Sequence, residues 1–126
     1  MTLEQFNKQY KYKSGKQKLG FIEVWEMPKL QDDGFYYGDC EDYVIFLKHN
    51  ILQFENCDLY YCKLNGIGHC VLSNGAMIID CNSKQIMIKD KFMQKYNITE
   101  LKKYSKFVIF CKYLFAKVFL FFKKGS

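Results

Sequence analysis

Cys40, His69 and Asp80 are the residues whose types and spacing could carry chemistry together in this chain. Cys40 follows Asp39 at the head of a run in which Tyr43, Val44, Phe46, Leu47, Ile51 and Leu52 recur at helical spacing, through about Gln53. Asp39 is a good N-cap and Asp42, three residues on, stands in a capping-box-like position, so Cys40 falls in the first helical turn. There the positive end of the helix dipole favours a thiolate, the nucleophilic form of cysteine. The other two residues come from a hairpin. Ser73-Asn74-Gly75-Ala76 sets Asn-Gly between two apolar runs, which predicts a two-residue type I′ turn. With Asn74 and Gly75 as the loop, Ser73 faces Ala76, Val71 faces Ile78 and His69 faces Asp80. Directly opposed residues hold their Cβ atoms about 4.5–5.5 Å apart, near enough for a carboxylate to hold an imidazole nitrogen. Thiol, imidazole and carboxylate then form nucleophile, base and orienter. Each part also has a purely structural reading: His69 and Asp80 as a satisfied polar pair in a sheet, Cys40 as an inert small residue. His49 is excluded as the base. It lies nine residues along the same helix, on the opposite face and about 13 Å up the axis.

These residues need a helix followed by a sheet to position them. Segments 58–64, 67–73, 76–81 and 85–88 are short, β-prone and separated by Asn/Gly/Ser turns, which predicts an antiparallel sheet and an α+β arrangement. Before the helix stand a Phe21-Ile-Glu-Val-Trp25 run and a loop carrying Asp32, Asp33, Gly34 and Gly38. At 126 residues the chain has room for one domain, 1–126, burying roughly two-thirds of its unfolded surface. The motif-bearing core spans about 21–90. A composition of 49% hydrophobic residues with one proline excludes a disordered or collagenous chain.

Charge is partitioned along the chain: +4 over residues 1–20, −7 over 21–83 and +9 over 84–126. All 19 basic residues are lysine. Planar bidentate recognition of phosphates and bases is arginine's strength, so the net +6 argues against sequence-specific nucleic-acid binding. The lysine-only, Phe- and Tyr-rich composition fits codon bias in an AT-rich genome, as in a low-GC bacterium or a phage. The six cysteines, Cys40, Cys57, Cys62, Cys70, Cys81 and Cys111, include no C-x-x-C pair, so zinc-ligand spacing is absent. The N-terminus shows no apolar signal region. Free thiols in a reducing cytoplasm are therefore expected. Within the basic aromatic segment 101–124, residues 107–122 form a sixteen-residue apolar run broken by Lys112 and Lys117, too short to span a bilayer as a helix. It reads as a buried strand or strand pair, with contact to an anionic membrane or a partner protein as the alternative.

Gly38-Asp39-Cys40-Glu41-Asp42-Tyr43, Gly68-His69-Cys70-Val71-Leu72 and Ile79-Asp80-Cys81-Asn82 together resemble the bacterial transglutaminase-like cysteine peptidases, within the wider papain-related superfamily. Trp25-Glu26-Met27-Pro28 matches the family's W-x-x-P upstream of the cysteine. Cys81 departs from the family pattern by separating Asp80 from Asn82. The resemblance covers about residues 21–85 and implies a compact transglutaminase-like cysteine-protease fold, with the cysteine's helix packed on an antiparallel sheet. It implies Cys40 as nucleophile, His69 as base and then acid, and Asp80 as orienter. It also implies calcium at Asp39 and Glu41. Like charges around a thiol oppose its ionisation, and a divalent cation would relieve them; the other reading is that these acids cap the helix and favour its N-terminus. For the oxyanion, the backbone N–H of Cys40 is the natural first donor, with the Trp25 indole or the Gln31 amide as a second. The expected activity is that of a cysteine peptidase or amidase on a protein or peptide substrate, needing no cofactor beyond that calcium. A transglutaminase-like acyl transferase and a catalytically degenerate, phage-encoded binding module are the alternatives.

Overall fold

A computed structural model of the chain describes residues 1–13, 18–19, 22–23 and 28–104. Trp25, Cys111 and the aromatic run 107–122, with the oxyanion and membrane- or partner-contact expectations attached to them, lie outside the described residues. The architecture is α+β.

The chain opens with helix α1 (Leu3–Gln9), closed at its start by a capping box. Gln5 N donates to Thr2 Oγ1 at 3.1 Å and Thr2 N donates to Gln5 Oε1 at 2.8 Å. So short a helix is not stable alone and depends on what it buries. That residue is Phe6, fully buried and stacked on Phe46 with ring centroids 4.1 Å apart. Strand β1 (Tyr10–Tyr12) then pairs in parallel with β4 (Tyr36–Gly38), bringing Tyr12 level with Gly38. Between them β2 (Lys18–Leu19) and β3 (Ile22–Glu23) form a separate antiparallel pair.

Helix α2 (Cys40–Asn50) starts where the sequence places it. Asp39 is the N-cap, and its carboxylate and that of Asp42 each accept a backbone N–H from the other, at 3.2 and 3.1 Å. The helix stops short of Gln53 because Ile51 turns extended, and Leu52–Phe54 form a single 3₁₀ turn. The main sheet then follows as β5 (Asp58–Leu64), β6 (Ile67–Ser73), β7 (Met77–Ile79), β8 (Met87–Ile88) and, after helix α3 (Lys89–Lys95), β9 (Lys102–Lys103). Its order is β8-β7-β6-β5-β9, every neighbour antiparallel. Strands β5 and β6 match the expected bounds; β7 and β8 are shorter than the expected 76–81 and 85–88.

Alternation along the strands divides the core in two. Leu59, Cys70, Leu72 and Ile79 pack under α2 and α1, whereas Cys62, Val71 and Ile78 pack under Phe92 of α3 and Ile98. The β6–β7 register corrects the expected one. Leu72 pairs with Ile79 and Ser73 with Ile78, a shift of two residues from the pairing centred on Asn74 and Gly75. Side chains in the turn are the cause. Asn74 Oδ1 accepts from both Ala76 N and Met77 N, while Ser73 Oγ accepts from Gly75 N and donates to Met77 O at 2.7 Å. These bonds close a longer loop in which only Gly75 takes a positive φ. The two-residue Asn-Gly turn, with both residues at positive φ, forms at Asn65-Gly66 between β5 and β6 instead.

The dependence of α1 on one buried ring gives a direct test. Phe6→Ala is expected to cost about 3–5 kcal/mol, read as a lower urea midpoint with an unchanged slope.

Candidate active site

The site is built where β7 parts from β6. After Ile79 the chain leaves the ladder, and Asp80 opens a turn through Ser83 that Lys84 N closes by donating to Asp80 O at 2.9 Å. Asp80 is fully buried, so its carboxylate requires partners inside the protein. Oδ2 meets His69 Nε2 at 2.7 Å, and Oδ1 accepts Ser83 N at 2.8 Å. Burial alone would raise this carboxyl, but the hydrogen bonds from His69 and Ser83 outweigh it and hold Asp80 below its ordinary value of 3.8. With the ladder ending at Leu72–Ile79, Asp80 lies just past the end of β7 and reaches His69 through side chains alone, not as its directly opposed partner. His69 is itself only 7% exposed. With Nε2 engaged by Asp80, Nδ1 is the ring nitrogen left to exchange a proton with a thiol.

Cys40 reaches the same place from the head of α2. The Gly38-Asp39 approach is fixed by the Tyr10 hydroxyl, which donates to Gly38 O at 2.7 Å, and by the Asp39–Asp42 cap. A side chain at position 38 would meet Asp42 Cβ at 2.6 Å, so glycine is required there. Cys40 and His69 both line a cavity of about 290 Å³, with Gly68, Cys81 and Asn82 beside them. The Cys40 thiol donates to Glu41 Oε2 at 3.1 Å, a contact that the sequence pattern does not announce. Alternation places His69 on the α3 side of β6 while α2 packs on the other, so thiol and imidazole meet the cavity around the open edge of the strand.

The remaining candidates separate. Gln31 sits on an exposed turn with its amide donating to Lys29 O, away from the lining of this cavity. Asp39 is held by the cap and the Glu41 carboxylate by the thiol. Among the described residues, no three His, Cys, Asp or Glu side chains are grouped to hold a metal ion. Asp39 and Glu41, the residues that the resemblance gives to calcium, both have carboxylates engaged within the chain.

None of the five described cysteines is in a disulfide, and all five are buried. Burial, then the charges of Asp80 and Asp39, push the Cys81 thiol up to about 12. Burial and Asp80 take Cys62 to about 11, and burial also raises Cys57. His49, in the last turn of α2, is lowered by burial and by Lys48, and it does not line the cavity. A larger depression, about 510 Å³ between Tyr61, Lys63, Tyr96 and Lys102, contains Cys62 but no histidine. No protein-family model matches the chain, and no curated protein matches its sequence.

The depressed Asp80 carboxyl sets a pH dependence with a definite sign. A carboxyl lowered by folding contributes stability above its ordinary value of 3.8, and the contribution is lost as pH falls through the lower folded value. Wild type is expected to exceed Asp80→Asn in unfolding free energy at neutral pH, with the two converging below pH 3.8. Urea titrations at stepped pH would reveal a constant difference if the pair contributed nothing.

Proposed function

We propose that this protein is a cysteine peptidase or amidase of transglutaminase-like fold, acting through Cys40, His69 and Asp80. The observation that carries the reading is the buried 2.7 Å His69–Asp80 bond at the cavity that Cys40 lines. Asp80 orients the ring through Nε2, so Nδ1 takes the thiol proton as Sγ attacks an amide carbonyl. The oxyanion forms against the positive end of α2, with the backbone N–H of Cys40 as first donor. Collapse breaks the C–N bond, and His69 returns its proton to the departing amine. Water then attacks the thioester with His69 as base, releasing acid and thiol. An amine in place of water gives transamidation, and the closer motif match favours hydrolysis. In this scheme Sγ turns from Glu41 to His69 before attack.

Alkylation by iodoacetamide, mapped to each cysteine, tests the reading. Burial raises the Cys62 and Cys81 thiols to about 11 and 12 and so disfavours their reactive thiolate at pH 7. Cys40 is expected to react at least about tenfold faster than either, and His69→Ala to remove most of that advantage. Equal rates at Cys40 and Cys57, unaffected by His69→Ala, would overturn the enzyme.

A further inference from the structure

The cavity beside Cys40 has an apolar lip. Tyr12 comes from the end of β1, and Leu64 and Ile67 form the cross-strand pair that flanks the Asn65-Gly66 turn. Tyr12 is distant in sequence from Leu64 and Ile67, yet all three line the cavity with Cys40. Ile67 is 72% exposed and Tyr12 is 59% exposed. Isolated apolar residues on a surface need no explanation, but several gathered at one concave site mark a place where apolar surface is covered by a ligand. The parallel β1–β4 pairing sets Tyr12 beside Gly38, two residues before Cys40, and the tight turn carries Leu64 and Ile67 to the other side of the opening. Three acids adjoin the lining residues without lining the cavity themselves: Asp39 and Glu41 flank Cys40 in sequence and Asp80 bonds His69, and they are buried at 2%, 5% and 0% exposure. Among the described residues, no lysine lines the cavity to pair with an incoming acid. A volume of about 290 Å³ falls just below the roughly 300–1,000 Å³ of drug-sized sites, so the cavity suits a group of amino-acid size.

We infer that the acyl donor presents a bulky apolar side chain, of leucine or phenylalanine type, next to the carbonyl attacked by Cys40, and that acidic residues are rejected there. The inference rests on Cys40 and His69 being nucleophile and base. The apolar side chain covers Tyr12, Leu64 and Ile67 on binding, whereas a carboxylate would lose water against apolar surface near three buried acids.

The test uses N-acetyl amino-acid chloromethyl ketones carrying leucine, phenylalanine or aspartate. In each, Sγ of Cys40 attacks the methylene carbon and chloride leaves, so peptide mapping reads the rate at one residue. Leucine and phenylalanine reagents are expected to alkylate Cys40 at least tenfold faster than the aspartate reagent. Ile67→Lys, at an exposed position, is expected to cut that ratio to threefold or less, by removing apolar contact and supplying a cation. Equal rates for all three reagents, in a protein whose Cys40 still reacts with iodoacetamide in a His69-dependent way, would overturn the substrate class and leave the enzyme standing. An unchanged ratio in Ile67→Lys would likewise overturn the assignment of the lip. Iodoacetamide rates at Cys40 that are the same in wild type and His69→Ala would overturn the nucleophile–base reading, and this inference with it.

Discussion

A carboxylate with no exposure to water constrains the whole sheet. Asp80 cannot ionise in the interior unless both oxygens are bonded, and removing one partner of such a group leaves a destabilising buried charge, by about 3–5 kcal/mol in typical cases. Its partners dictate the local chain path. The bond from Ser83 N requires the backbone to curl back immediately after β7, which Lys84 N reinforces by donating to Asp80 O at 2.9 Å. The bond from His69 ties that curl to the first half of β6, where the ladder to β7 has already ended. The gap so formed is the cavity. One electrostatic requirement thus ends a strand and orients an imidazole, and the same requirement opens the site beside Cys40.

The helix that delivers Cys40 answers to a different constraint. Its first turn is closed by side chains adjacent in sequence, Asp39 and Asp42, while Gly38 leaves room for Asp42 to reach back. This arrangement is local and so was legible in the sequence, as were β5 and β6 with their alternating, β-prone residues. The β6–β7 register was not legible to the residue. Turn type follows from the Asn-Gly pair only when its neighbours do not compete, and here the Ser73 and Asn74 side chains capture the backbone groups that a two-residue turn would use. The His69–Asp80 contact forms all the same, because the two side chains reach each other past the end of the ladder. Helices α1 and α3 lack a repeating apolar pattern, although Thr2 and Gln5 of α1 carry a capping-box signature. Each is only seven residues long and buries a single residue, Phe6 or Phe92, so each is sustained by tertiary packing and not by a repeating pattern.

Two influences of opposite sign meet at Cys40, the dipole of its helix and the carboxylate of Glu41. The dipole of α2 favours a thiolate by about 0.3–1 kcal/mol, and up to about 2 where the end is partly buried. Against it, a hydrogen bond to a charged acceptor contributes about 1.5–3 kcal/mol. Two unit negative charges about 4 Å apart repel by about 4 kcal/mol at an effective dielectric of 20. Glu41, with Oε2 3.1 Å from the sulfur, is the acceptor that works against the dipole at this thiol. In the proposed chemistry, a thiol that donates to a neighbouring carboxylate cannot rely on its helix alone for reactivity. It needs a base placed to take the proton at the moment of attack, and an imidazole held by Asp80 through Nε2 keeps Nδ1 available for that transfer. The acidity of the site, which opposes a standing thiolate, therefore makes the buried His69–Asp80 bond the feature on which the proposed chemistry turns.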